Sequence, residues 1–171
     1  MKLLFGVVIL TVVLGLIVGW LLMGHFNVAA NAPPDLFDSL AIRVRNASIQ
    51  RQAKDAGEAP AHAGLAAHGA DHYREHCLPC HAAPGAKSAD FAEGMNPMPP
   101  ALDEGRVQQR SDAELFWIVK NGIRMSAMPA FGGDHSDAEI QDIVAFVRDL
   151  PHLSASEKQA LSSSVESHAE H

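Results

Sequence analysis

The sequence predicts an all-α protein, in which one long apolar helix precedes a small helical domain. Three observations carry that expectation. The first 24 positions are almost entirely apolar. The tetrapeptide Ser-Asp-Ala-Glu occurs twice, as Ser111 to Glu114 and Ser136 to Glu139, and each copy is a capping box that opens a helix. No alternating apolar–polar stretch of useful strand length appears anywhere.

The first element is the run from Leu3 to Met23, which contains no charge and no proline. As a helix it spans about 31 Å, the thickness of a hydrocarbon core. Trp20 lies near its far end, where interfacial aromatics are favoured, and Lys2 marks the inner side. Residues 1–26 are therefore expected to form a transmembrane anchor with its amino terminus inside. A cleaved signal peptide is the alternative, since Ala30-Asn31-Ala32 has the small-x-small form of a cleavage site. The length of the run and the position of Pro33 favour the anchor, and either reading carries the remainder across the membrane.

Residues 27–63 read as a linker. Pro33-Pro34 ends any helix leaving the membrane. Asp35 to Lys54 has apolar residues at Leu36, Leu40 and Val44, with Ile49 less regular, and suggests a short amphipathic helix. Asp55 to Gly64 is rich in Ala, Gly and Pro, as a hinge is. The domain proper is expected over 64–153. Leu65 to His76 looks helical. Ala82 to Arg110, with Pro84, Pro97, Pro99 and Pro100, is irregular, and loops of that length usually wrap something or carry function. The Ser111 box starts a helix that Gly122 stops. The Ser136 box starts another that runs to about Leu150 before Pro151, with Ile140, Ile143, Val144 and Val147 on one face and Phe146 flanking it. Residues 154–171 form a polar tail that frays or folds into a loose helix.

Aromatic residues make up 6% of the chain, so the soluble part has few large side chains for a core. Small domains of that kind need a staple, a metal or a cofactor. The formal charge is −7 and Lys2 precedes the apolar run, so the rest carries 12 basic against 20 acidic residues. That balance argues against a nucleic-acid partner. It suits a domain that meets basic patches on other proteins.

Two cysteines are present, in the sequence Cys77-Leu78-Pro79-Cys80-His81. Cys-x-x-Cys-His is a c-type haem attachment pattern. Two thiols about one turn apart can each join one haem vinyl group as a thioether, and the following histidine then directs an imidazole nitrogen at iron. One covalent haem would also supply the apolar body that the core lacks. A thioredoxin-like pair needs βαβ patterning, which is not seen. A zinc site would want a second cysteine pair, which the chain does not have. Attachment of this kind takes place outside the bacterial cytoplasm, in agreement with the export segment.

At these residues the chain resembles the class I c-type cytochromes, over about Gly64 to Leu153. The resemblance implies a small helical domain around one haem c, with an amino-terminal helix crossing a carboxy-terminal one at Gly69, Tyr73 and Phe146. It implies that His81 is one axial ligand and that a methionine in the stretch Ile123 to Gly132 is the other. Pro99-Pro100-Ala101-Leu102 resembles the segment whose proline carbonyl holds the proximal histidine, so Pro100 and Leu102 are expected beside the cofactor.

Met95, Met98, Met125 and Met128 are the candidates for the sixth ligand. Met128 precedes Pro129 and matches the family's Met-Pro pattern, with Met125 next in order. His135 is a further candidate beyond a Gly-Gly turn. His68, His72 and His76 are spaced by four and share a helical face, with His62 just upstream, and His168 and His171 lie in the tail. Histidines at i and i+4 can bind zinc or copper, and the plainer reading is a solvated face beside the haem.

The resulting expectation is an electron carrier rather than an enzyme, anchored in a bacterial inner membrane with its soluble domain in the periplasm. Its partners would be a redox donor and acceptor. Two alternatives remain: an electron-entry subunit of a larger respiratory oxidase or dehydrogenase, and a haem sensor or enzyme.

Overall fold

The computed structural model describes residues 2–24, 27–57 and 66–166, with side chains given as far as residue 163. His62, the end of the expected hinge at Gly64, His168 and His171 lie outside the described residues. Among the described residues every regular element is helical. The chain divides into two units, Met1–Pro33 and Pro34–His171.

The first unit is built on α1 (Lys2–Leu22), 21 residues long and with none of its side chains buried. By length and composition it is able to cross a membrane.

The second unit begins with α2 (Leu36–Asp55). Asp35 caps it: the Asp38 N–H donates to Asp35 Oδ1 at 3.0 Å and the Asp35 N–H donates to Asp38 Oδ2 at 2.9 Å. Of the four apolar positions the sequence marked, only Ile49 packs. Leu36, Leu40 and Val44 are exposed, whereas Ile49 and Ala53 are buried. These two are spaced by four near the carboxy-terminal end of α2, which packs on α7 (Asp112–Asn121). Arg110 secures that contact by donating to Asn46 Oδ1 at 3.1 Å.

The expected helix over Leu65 to His76 is interrupted. α3 (Ala66–His72) gives way to a π-turn (Tyr73–Cys77), and α4 (Leu78–His81) follows directly. Two short turns of helix, α5 (Asp90–Glu93) and α6 (Gly105–Gln108), punctuate the proline-rich stretch. The two Ser-Asp-Ala-Glu boxes cap α7 and α8 (Asp137–Asp149) as anticipated: the Glu114 N–H donates to Ser111 Oγ and the Glu139 N–H to Ser136 Oγ. Gly122 closes α7 at φ 66°. A 3-10 turn (Leu150–His152) ends α8. Ser154 and Glu157 repeat the reciprocal cap and open α9 (Ala155–Glu166), whose Leu161 is buried in the core.

The core forms where α3 crosses α8. Tyr73, Ile140, Ile143 and Leu150 are its largest fully buried side chains. Tyr73 meets Phe146 edge-on, with centroids 5.2 Å apart. At the crossing a Cβ on Gly69 would lie 2.0 Å from the Asp142 carbonyl oxygen and 2.9 Å from Phe146 Cβ, so the backbones touch there. Helix starts are locally fixed in this fold. Ser136→Ala is therefore expected to cost about 1 kcal/mol, read as a lower urea midpoint of the haem-loaded protein. An unchanged midpoint would mean that the cap is not a determinant of α8.

Candidate haem site

The three residues of the Cys-x-x-Cys-His sequence sit on adjoining elements. Cys77 ends the π-turn and is buried; Cys80 and His81 lie on α4 and are half-buried. The cysteines form no disulfide, so both thiols are available. Burial, with the neighbouring Cys80 second, pushes the Cys77 thiol up to about 12. Burial also raises Cys80. Both groups are uncharged in this apolar setting, as befits positions that end as neutral thioethers.

The chain turns sharply just after His81. Ala82 adopts φ 57°, a conformation that costs a residue with a Cβ about 1–3 kcal/mol. The buried Tyr73 hydroxyl holds it there by donating to the Ala82 carbonyl at 2.7 Å.

His81 has one hydrogen bond, between Nδ1 and the Pro100 carbonyl oxygen, at 2.7 Å. A carbonyl only accepts, so Nδ1 carries the proton and Nε2 keeps its lone pair. Burial lowers the His81 pKa and so favours the neutral ring, and the Pro100 bond opposes it by raising the pKa. A neutral imidazole with Nε2 unprotonated is the form that ligates a metal.

The Pro100 segment is itself anchored to α8. Gln108 Nε2 donates to Leu102 O at 2.7 Å and to Val147 O at 2.8 Å. Arg148 donates to Gln108 O at 2.7 Å, to Asp112 Oδ1 at 2.8 Å and to Arg110 O. Leu102 is half-buried and packs on the core. No spacing in the sequence marks Gln108 or Arg148 for this work, because their partners lie up to 40 residues away.

Met128 lies on the loop that follows α7. The Ile123 N–H donates to Met128 O at 3.2 Å. The Phe131 and Gly132 N–H groups donate to Val119 O and Lys120 O at 3.1 and 2.9 Å. Ser126 Oγ donates to Ile123 O and accepts from the Met128 N–H. The loop is thus hung on the last carbonyls of α7. Gly122 is required where it crosses, since a Cβ there would lie 2.6 Å from the Pro129 backbone. Met128 is half-buried, whereas Met125 is 91% exposed at φ 56°. Met95 is half-buried and Met98 is exposed. His135 stands beside His72 and His76, with ring centroids 5.1 Å from each.

The residues present fit a haem. Leu115 to Val119 is an unbroken apolar run on α7, yet Leu115 alone of the five is buried. Phe116, Trp117, Ile118 and Val119, with Ile123 and Leu102 beyond them, are only half-covered by protein. Half-covered apolar side chains such as these leave surface that an apolar group can cover.

Residues 64–147 match the family model described as cytochrome C oxidase, cbb3-type, subunit III. The chain therefore carries a c-type cytochrome domain, and the class I monohaem type is consistent with it. The cofactor of such a domain is a covalently bound haem c. No curated protein matches the chain.

Proposed function

We propose that this protein is a single-electron carrier, held by α1 in a bacterial inner membrane with its haem domain in the periplasm. The observation that carries the reading is His81, whose Nδ1–H is fixed on the Pro100 carbonyl beside two unpaired thiols. Cys77 and Cys80 would hold the haem as thioethers. His81 and Met128 would be its axial ligands, with Pro100 and Leu102 against it. Bound haem iron takes up and releases one electron at a time. An axial methionine raises its reduction potential, and a filled sixth position discourages oxygen chemistry. The half-buried placement and double tether of the Met128 loop support that residue over the exposed Met125. The anchor would concentrate the domain near a redox donor and acceptor.

The test is the visible spectrum of the protein purified from membranes, oxidised and reduced. A low-spin c-type spectrum is expected, with the weak far-red band of methionine bonded to ferric haem. Met128→Ala is expected to abolish that band and lower the potential. A band that survives the substitution would remove Met128 from iron. A high-spin spectrum that shifts with carbon monoxide would replace the carrier by a sensor or enzyme.

One observation favours a second reading, an electron-entry subunit of a larger respiratory complex. The matching family model is described as an oxidase subunit. The exposed Leu36, Leu40 and Val44 on α2 would suit a permanent partner. Co-purification with large subunits after mild solubilisation would favour it over a freely exchanging carrier.

A further inference from the structure

We infer that His72, His76 and His135 form a second metal site, separate from the haem, for a divalent cation of the zinc or copper type. The three side chains each offer a ring nitrogen, and these nitrogens all lie within 4.8 Å of one another. His72 ends α3 and His76 sits in the π-turn four residues on, so both project from one side of that segment with their rings roughly parallel. His135 comes from the turn that precedes α8 and stands edge-on to both.

The arrangement is built rather than incidental. The His135 N–H of the backbone donates to Phe131 O at 2.9 Å, and the Phe131 ring flanks both His76 and His135. The buried Nδ1 of His135 makes no hydrogen bond. An unmet polar atom of that kind costs about 1–3 kcal/mol. Glu139 stands next to the cluster with its two oxygens in different use. Oε2 accepts from the Ser136 N–H and hydroxyl at 2.7 Å, while Oε1 lies 4.0 Å from His72 Nε2.

Three imidazoles with a carboxylate or water as the fourth donor match the chemistry of Zn²⁺ and Cu²⁺. A tetrahedral ion with metal–nitrogen bonds of about 2.0–2.1 Å needs donors about 3.3 Å apart. The three nitrogens, within 4.8 Å of one another, lie at most about 1.5 Å beyond that spacing. His68 is not part of the site: it is more exposed and pairs with Asp142 at 3.5 Å.

The experiment is calorimetric titration of the haem-loaded full chain with Zn²⁺ alone, paired with electron paramagnetic resonance after one equivalent of Cu²⁺. One equivalent is expected to bind, and the copper spectrum should show hyperfine splitting from several imidazole nitrogens. His72→Gln, His76→Gln and His135→Gln should each weaken Zn²⁺ binding by at least about tenfold with the haem spectrum intact. His152→Gln combined with His168→Gln and His171→Gln should leave it unchanged. Equal losses in the two sets would assign the metal to scattered surface histidines and overturn the proposal. So would a copper spectrum of the unmodified protein without multiple nitrogen ligands, a result that does not depend on any variant folding.

Discussion

Replacing Cys77 and Cys80 together by alanine is expected to yield a protein from which all haem separates under denaturing electrophoresis, and which lacks a sharp thermal transition. The first effect follows from chemistry, because no other cysteine is present to form a thioether. The second follows from packing. Four large side chains are fully buried among the described residues, and four of the five apolar residues in the α7 run are half-covered by protein alone. A domain of this size is marginal without a bound group, and a group that binds the folded state alone adds stability that grows with the logarithm of its affinity. Single variants keep one possible thioether and should fall between. Haem that stays with the double variant on a denaturing gel would refute attachment at this pair.

Gly69→Ala is expected to cost about 3 kcal/mol or more, seen as a lower melting temperature of the haem-loaded protein. Overpacking against mobile side chains costs about 1–3 kcal/mol. Here the obstacle is backbone: the new Cβ would stand 2.0 Å from the Asp142 carbonyl oxygen and 2.5 Å from its carbon. No rotamer relieves that contact, so α3 and α8 must move apart along the core they share. For a domain whose total stability is about 5–15 kcal/mol, the loss is a large fraction. A melting temperature within about 2 °C of the parent would show that the crossing yields at little cost.

How much of this was legible beforehand depends on the range of the interaction that decides each feature. The starts of α7 and α8 were readable because a capping box is a contact between residues three apart. The crossing at Gly69, Tyr73 and Phe146 was readable through the resemblance to class I cytochromes, and so was the Pro100 carbonyl as partner of His81. Features set by distant partners were not. The apolar positions Leu36, Leu40, Val44 and Ile49 marked an amphipathic helix, but its buried residues are Ile49 and Ala53, at the end that packs on α7. Periodicity records where apolar residues lie and not which end of a helix meets its neighbour. Gln108 and Arg148, which brace the Pro100 segment, bond across about 40 residues of sequence. His135 joins His72 and His76 through the fold alone, whereas the spacing of four had grouped His68 with them. Ser154 and Glu157 form a third cap of the same type, whereas the polar composition that follows had left a fraying tail and a loose helix both open.

The π-turn at Tyr73–Cys77 has a consequence for how the chain can change over time. In an unbroken α-helix Gly69, Tyr73 and Cys77 would share one stripe, since residues four apart nearly superpose around the axis. The wider turn joins the Leu78 N–H to Tyr73 O, so Leu78 and not Cys77 continues the line of Tyr73. Leu78 is accordingly buried at 2% exposure. The angular phase of everything downstream is reset by one residue, about 100° of rotation. The upstream face is thereby free to be selected for its fit to α8, and the downstream face for the aim of its thiols. Loss of a single residue within 73–77 would lock the two together again, so this short segment is the point at which length matters more than composition.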